Sequence, residues 1–318
     1  MTVLANQLGT EVGTRLRERY PQVEVIDATD EPPWTLGERA GVLLTAPRPW
    51  LTAPAQRPAG WPGQLRWLHS VAVGMDFYPD WIYDVPQVTC GRGVAAVPIA
   101  EYVLAAVLDH EKRLAELTVH DAAPWPLRSA AKPPRLGLLH GKTLGLVGFG
   151  AIGREVALRA RAFGVRVLAL RRSSAPIEEA GVERVETLPA LLAASDHLVL
   201  ALPLTSQTDG LIDAAALAHA KPGLHLINIA RGRLLDQKAL IDALDAGRLA
   251  AATLDVTEPE PLPDGHPLYH HPRVRITPHI SWAAGDVLAR SAEKFEENLA
   301  RYLAGEALHD IVDPRRGY

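Results

Sequence analysis

The hydrophobic pattern of the chain changes near residue 142. Before that point the apolar runs are short. VEVID (23–27), GVLLTAP (41–47) and LRWLHSV (65–71) read as buried strands, with Gly and Pro punctuating between them. PIAEYVLAAVLDHEKRLAEL (98–117) has the longer period of a helix and a charged end. AAPWPLRSAAKPPRLGLLHG (122–141) is Pro-rich and irregular, either a surface linker or an arm that packs on another subunit. From 142 onward strands and helices alternate. KTLGLVGFG (142–150), VRVLALRR (165–172), HLVLALP (197–203), LHLINIA (224–230), AATLDV (251–256) and VRITPHI (274–280) are strand-like. AIGREVALRARAFG (151–164), AALAHA (215–220) and LDQKALIDALDAG (235–247) are helical, and AAGDVLARSAEKFEENLARYLAG (283–305) is a long closing helix. This alternation specifies an α/β protein with a doubly wound parallel sheet. The helices near 98–117 and 283–305 are natural crossings to a second domain built mainly from the N-terminal third.

Composition narrows the class. With 318 residues the chain has room for two domains, and 47% hydrophobic with 22% charged residues is ordinary for a globular protein rather than a disordered one. A net charge of -4 gives no broad basic surface, so no nucleic-acid partner is expected. Cys90 is the only cysteine and suits a reducing compartment. The first twenty residues lack a basic segment followed by an apolar run, and no stretch of about 18 apolar residues predicts a membrane span, so the expected location is cytoplasmic.

Gly148-Phe149-Gly150-Ala151-Ile152-Gly153 spells a GxGxxG directly after the apolar LGLV and at the start of a helix. The first glycine permits a tight turn, the second lets backbone approach a pyrophosphate, and the third allows close helix–strand packing. The helix N-terminus then offers its N–H groups to the phosphates. The next strand ends Leu170-Arg171-Arg172-Ser173, without the acid that usually meets a ribose 2′-hydroxyl. Two guanidinium groups at that place suit a 2′-phosphate. NADP(H) is therefore the expected cofactor and NAD(H) the second choice; the bland alternative is a solvated pair of surface arginines. No metal site is assigned.

Three segments in the second half carry candidate chemistry: Asn228-Ile229-Ala230-Arg231-Gly232, Leu254-Asp255-Val256-Thr257-Glu258-Pro259-Glu260-Pro261 and Thr277-Pro278-His279-Ile280-Ser281-Trp282. In these motifs, in this order after a dinucleotide turn, the chain resembles the D-2-hydroxyacid dehydrogenase family, nearer its glyoxylate/hydroxypyruvate reductase branch. The resemblance implies a Rossmann-type cofactor domain at 98–286 and a smaller flavodoxin-like α/β substrate domain at 1–97 and 287–318. It implies hydride transfer between the nicotinamide cofactor and a small 2-keto or D-2-hydroxy acid. Matched by motif, Arg231 would meet the substrate carboxylate and keto oxygen, His279 would be the general acid/base, and Glu260 would hold the imidazole. The chemistry asks for the same types. A keto oxygen gaining charge needs a proton donor near neutral pH, a carboxylate favours imidazolium, and an arginine fork binds a carboxylate.

The resemblance further places Asp255 against the nicotinamide carboxamide, Leu202, Pro203 and Thr208 beneath the cofactor, and Ile229, Ala230 and His279 beside it. In Ser70-Val71-Ala72-Val73-Gly74-Met75-Asp76, Val73 and Gly74 match a loop whose backbone N–H groups bind the substrate carboxylate; from the residues alone an ordinary turn fits equally well. Arg92 to Glu101 matches the segment entering the first inter-domain helix, and the 118–140 segment resembles an inter-subunit arm, implying a homodimer. Trp50 and Trp282 are candidates to line the substrate pocket. Thr257 stands where the family commonly has an aromatic residue, so the resemblance does not fix the pocket shape near Glu260, and the bulky Trp282 after His-Ile-Ser leaves the substrate range open. Two alternatives stand beside this reading: an NAD-dependent dehydrogenase of a bulkier 2-hydroxy acid, and a nicotinamide-sensing regulator on the same fold.

Overall fold

The computed structural model describes residues 1–121, 135–173 and 175–314. The chain divides into two compact units, Met1–Ala95 with Ala284–Tyr318, and Ala96–Ala283. Most of the Pro-rich segment, 122–134, lies outside the described residues.

The first unit opens with strand β1 (Thr2–Asn6), helix α1 (Thr10–Arg19) and β2 (Val23–Asp27), followed by β3 (Val42–Thr45), β4 (Trp67–Ser70) and β5 (Gln87–Cys90). The strands form a parallel sheet in the order β2-β1-β3-β4-β5, the flavodoxin-like arrangement. β3 and β4 are buried along their whole length, as strands covered on both faces must be.

The second unit begins with α2 (Ala96–Lys112) and α3 (Leu114–Leu117). The pattern predicts one helix here, but Arg113 adopts φ 50 and ends α2 with a left-handed cap before a new turn starts. There follow β6 (Thr143–Val147), α4 (Ala151–Arg161), β7 (Arg166–Leu170), β8 (Val182–Arg184), α5 (Leu188–Ala194) and β9 (His197–Leu200). Then come α6 (Ala214–Leu217), β10 (Leu224–Asn228), α7 (Gln237–Asp245), β11 (Leu249–Leu254), α8 (Pro267–His270) and β12 (Val274–Ile276). The parallel order β12-β11-β10-β9-β6-β7-β8 reverses direction between β6 and β9, which is the doubly wound Rossmann arrangement. Its apolar centre runs through Leu198, Leu226, Leu240 and Leu254, all at most 1% exposed.

The last helix, α9 (Val287–Ala304), returns to the first unit. It starts later than the pattern suggests, at Val287, and ends at Gly305 in the left-handed conformation. Its buried stripe of Ala292, Phe295 and Leu299 follows helical spacing, and Phe295 stacks on Trp67 at 5.0 Å. Among the described residues no helix is long and apolar enough to cross a membrane.

Candidate active site

Every motif singled out in the second half lies just beyond the carboxyl end of a parallel strand, where such a sheet presents its ligand loops. Gly148 follows β6, Arg171 follows β7, Leu202 lies just past β9, Arg231 lies three residues past β10, Asp255 follows β11 and His279 lies three residues past β12.

The glycine turn is built as its spacing requires. Gly148 has φ 97, and a Cβ there would overlap the Ala201 carbonyl at the β6–β9 crossover. Gly153 lies against the Gly148 carbonyl, so a side chain would push α4 off the sheet. Gly150 opens α4 without a side-chain cap, and a Cβ built on it meets open space. That combination, an uncapped helix N-terminus with room in front of its glycine, fits a pyrophosphate. Phe149 is 7% exposed, and the Arg154 guanidinium lies 6.0 Å from its ring centre. Ala151 and Ile152 form the first turn of α4.

Beyond β7, the half-buried Arg171 donates through Nη2 to Ser173 Oγ at 3.2 Å, and Ser173 Oγ also accepts the Ala175 N–H. Arg172 and Ser173 are exposed. In the loop after β9, Thr208 Oγ1 donates to the Pro203 carbonyl and accepts the Thr205 N–H, both at 2.8 Å, which folds the Leu202–Thr208 segment on itself.

The three motifs meet. Asn228 donates from Nδ2 to the Arg231 carbonyl at 2.8 Å and accepts the Ala230 N–H at Oδ1, so it fixes the turn that carries Arg231. Arg231 Nη1 donates to the Ala230 carbonyl at 2.7 Å. Ile229 and Ala230 are themselves buried. At Gly232 a Cβ would overlap the Thr257 carbonyl, so only glycine lets the Arg231 turn lie against the 257–260 loop. Glu260 Oε1 accepts the Thr257 N–H at 3.1 Å, and Oε2 lies 3.0 Å from His279 Nδ1. Burial pushes the Glu260 carboxyl up. The His279 hydrogen bond and charge, the Thr257 N–H and the Arg231 charge outweigh it and hold the group below its ordinary value.

His279 itself sits at φ 53, a left-handed conformation worth about 1–2 kcal/mol of strain for a residue with a Cβ. Asp255 holds it there. The Asp255 carbonyl accepts the His279 N–H at 2.9 Å, its Oδ1 accepts the Ile280 N–H at 3.0 Å, and its Oδ2 accepts the Ser281 N–H at 2.9 Å. The Asp255 carboxylate, 1% exposed, is thus first of all the organiser of the His279 loop. A cavity of about 590 Å³ adjoins the pair, lined by Asp255, Glu260 and His279 together with the apolar Leu262, Leu268 and Ile276. Trp282 is 47% exposed and donates from its indole to the His279 carbonyl at 2.8 Å.

In the first unit, the loop after β4 that carries Val73 and Gly74 is anchored by Ser70, whose hydroxyl lies 2.6 Å from Tyr78 Oη. Gly91 lies against the Val71 carbonyl with no room for a Cβ. Trp50 is not a pocket residue: it is 2% exposed in the core, with Trp61, Tyr78 and Trp81 packed within 6 Å of its ring. Its apolar bulk is used for packing, as is usual for tryptophan. Asn228, Gly232 and Thr277 were legible only as letters of their motifs, and their supporting roles emerge from the contacts.

The family model described as "D-isomer specific 2-hydroxyacid dehydrogenase, NAD binding domain" matches residues 104–281. Glyoxylate/hydroxypyruvate reductase A of Serratia proteamaculans is 34% identical over 80% of this chain and 82% of its own length. D-3-phosphoglycerate dehydrogenase of Mycobacterium leprae is 38% identical over 67% of this chain, which spans only 40% of that longer protein. Among solved structures, a D-isomer specific 2-hydroxyacid dehydrogenase from Xanthobacter autotrophicus Py2 in complex with NADPH and MES aligns over 100% of this chain and 99% of its own, with TM-score 0.81 and 31% identity. With the glycine turn of its Rossmann sheet and its gathered Arg231, Glu260 and His279, the chain belongs to the D-isomer-specific 2-hydroxyacid dehydrogenase family of oxidoreductases.

Proposed function

We propose that this protein is an NADP(H)-preferring reductase of small 2-keto acids of the glyoxylate or hydroxypyruvate kind, and in reverse a dehydrogenase of D-2-hydroxy acids. The observation that carries the reading is the Glu260–His279 contact of 3.0 Å beside Arg231. Nδ1–H of His279 donates to Glu260, so Nε2 is the atom that holds and gives up a proton. Arg231 binds the carboxylate of the substrate and orients its keto oxygen, joined by the backbone N–H groups of Val73 and Gly74. When bound, the reduced nicotinamide supplies the hydride. As negative charge grows on the keto oxygen, Nε2 of His279 protonates it, and the spent neutral imidazole regains its proton from solvent.

The turn Gly148 to Gly153 would hold the pyrophosphate, and Arg171, Arg172 and Ser173 the 2′-phosphate. Leu202, Pro203 and Thr208 would lie beneath the cofactor, with Ile229, Ala230 and His279 beside it and Asp255 at its carboxamide. The NADPH bound in the Xanthobacter relative supports this cofactor, and NAD(H) is the weaker alternative. Trp282 would bound the substrate pocket. A cytoplasmic homodimer is the proposed form. The exposed Leu114 before the Pro-rich segment and Leu136 and Leu138 within it support an interface, which light scattering tests. The enzyme reading is tested by a panel of 2-keto acids assayed for NADPH oxidation. Turnover of glyoxylate or hydroxypyruvate supports it. Cofactor binding without turnover of any 2-keto acid would leave a nicotinamide-binding protein that is not an enzyme.

A further inference from the structure

We propose that Tyr102 is a positioning residue for His279, acting through Thr277 and Asp255. The role given to His279 rests on the reductase reading; the chain of contacts does not.

His279 needs continuous support, because its left-handed backbone is a conformation that a β-substituted residue leaves when released. Asp255 supplies that support by binding the N–H groups of His279, Ile280 and Ser281. What orients the Asp255 carboxylate is Thr277, whose hydroxyl donates to Oδ1 at 2.6 Å. A hydroxyl has one proton, and that of Thr277 is committed to Asp255. Tyr102 Oη lies 2.6 Å from the same Thr277 oxygen. Tyr102 is therefore the donor, and the chain runs in one direction, Tyr102 to Thr277 to Asp255 to the loop amides. Burial raises the Tyr102 phenol above its ordinary value, so it keeps its proton through the neutral range. Hydrogen bonds in such a chain polarise one another, so the first donor strengthens the last. Tyr102 stands on α2, in the same unit as β11 and β12 but remote from both in sequence, and no motif of the family resemblance includes it.

The test compares Tyr102→Phe, which removes one oxygen, with Thr277→Val and the double variant. Two readouts are taken: hydrogen exchange of the Ile280 and Ser281 amides in the protein without added ligands, and the split between kcat and the Kd for NADPH in 2-keto acid reduction. Tyr102→Phe should speed exchange at both amides and lower kcat about three- to tenfold, with the NADPH Kd unchanged. It should add little in the Thr277→Val background, because Thr277 is the only route proposed. Unchanged exchange at Ile280 and Ser281, or full additivity of the two substitutions, would overturn the proposal. If the wild type reduces no 2-keto acid, the reductase reading fails, and the exchange readout alone still decides the Tyr102 chain.

Discussion

Nδ1 of His279 and Oε2 of Glu260 lie 3.0 Å apart, a contact that commits Nδ1 to the carboxylate. Glu260 is held below its ordinary value against the opposing effect of burial, so it is ionised through the neutral range. Glu260→Gln keeps the shape and removes the charge that favours a protonated ring. The variant should retain partial activity, and the alkaline limb of its reduction profile should move toward acid. A profile superimposable on that of the wild type would detach Glu260 from His279.

Gly232 sits where a Cβ would overlap the Thr257 carbonyl. Backbone cannot yield as a side-chain tip can, so Gly232→Ala should separate the Arg231 turn from the Glu260 loop. The expected cost is about 1–3 kcal/mol of stability by thermal melting, together with a raised KM for the keto acid. Wild-type values for both would show that the two loops are not interdependent.

The Arg171–Arg172 pair should favour NADPH over NADH. A hydrogen bond to a charged group is worth about 1.5–3 kcal/mol, and exposure and salt reduce that, leaving a preference of roughly tenfold to hundredfold. Replacing both arginines by alanine should raise the KM for NADPH strongly and that for NADH little. Equal use of the two cofactors by the wild type at low salt would assign the arginines to a solvated strand end.

Acid should destabilise the fold early. His69 is fully buried and held at about 3 by loss of solvation. Burial likewise depresses His225 far below its ordinary 6.5 and lowers His110, which stacks on it at 4.3 Å. Burial pushes Glu111 up, but hydrogen bonds from His197 and Lys142 hold it at about 2. All four folded values are depressed, so the unfolded chain takes up protons first and stability is lost as pH falls. The melting temperature should drop from about pH 6.5 downward as the histidines are taxed, at up to about 1.4 kcal/mol per pH unit per group, and more steeply below 4.5 as Glu111 joins. A melting temperature flat between pH 7 and 5 would contradict this.

Much of the candidate site was legible because its residues stand in contiguous motifs. The glycine turn, Asn228 to Gly232, the Glu260 loop and Thr277-Pro278-His279 each follow a strand, and the parallel strand direction sets them at the carboxyl end of one sheet. What the sequence hid depends on contacts remote in the chain. Nothing in the helical text around Tyr102 tells that its hydroxyl meets Thr277, 175 residues away. Trp50 reads as a pocket candidate from its residue type, yet Trp34, Trp61, Tyr78 and Trp81 pack around it. β1 and α1 are missing from the pattern-based expectations because TVLAN is short and α1 buries little beyond Val12 and Leu16, although these two and Leu4 are core residues. Arg113 breaks a helix whose apolar spacing continues, since a single left-handed residue leaves no mark in a hydrophobic pattern.

His279 is the residue proposed to deliver the proton. The most direct measurement is His279→Ala assayed for NADPH-dependent reduction of glyoxylate or hydroxypyruvate, alongside NADPH binding by fluorescence titration. A lost general acid should lower kcat about 10²–10⁴-fold while the Kd for NADPH stays within about twofold of the wild type. Near wild-type turnover in the variant would contradict the account and remove His279 from the mechanism.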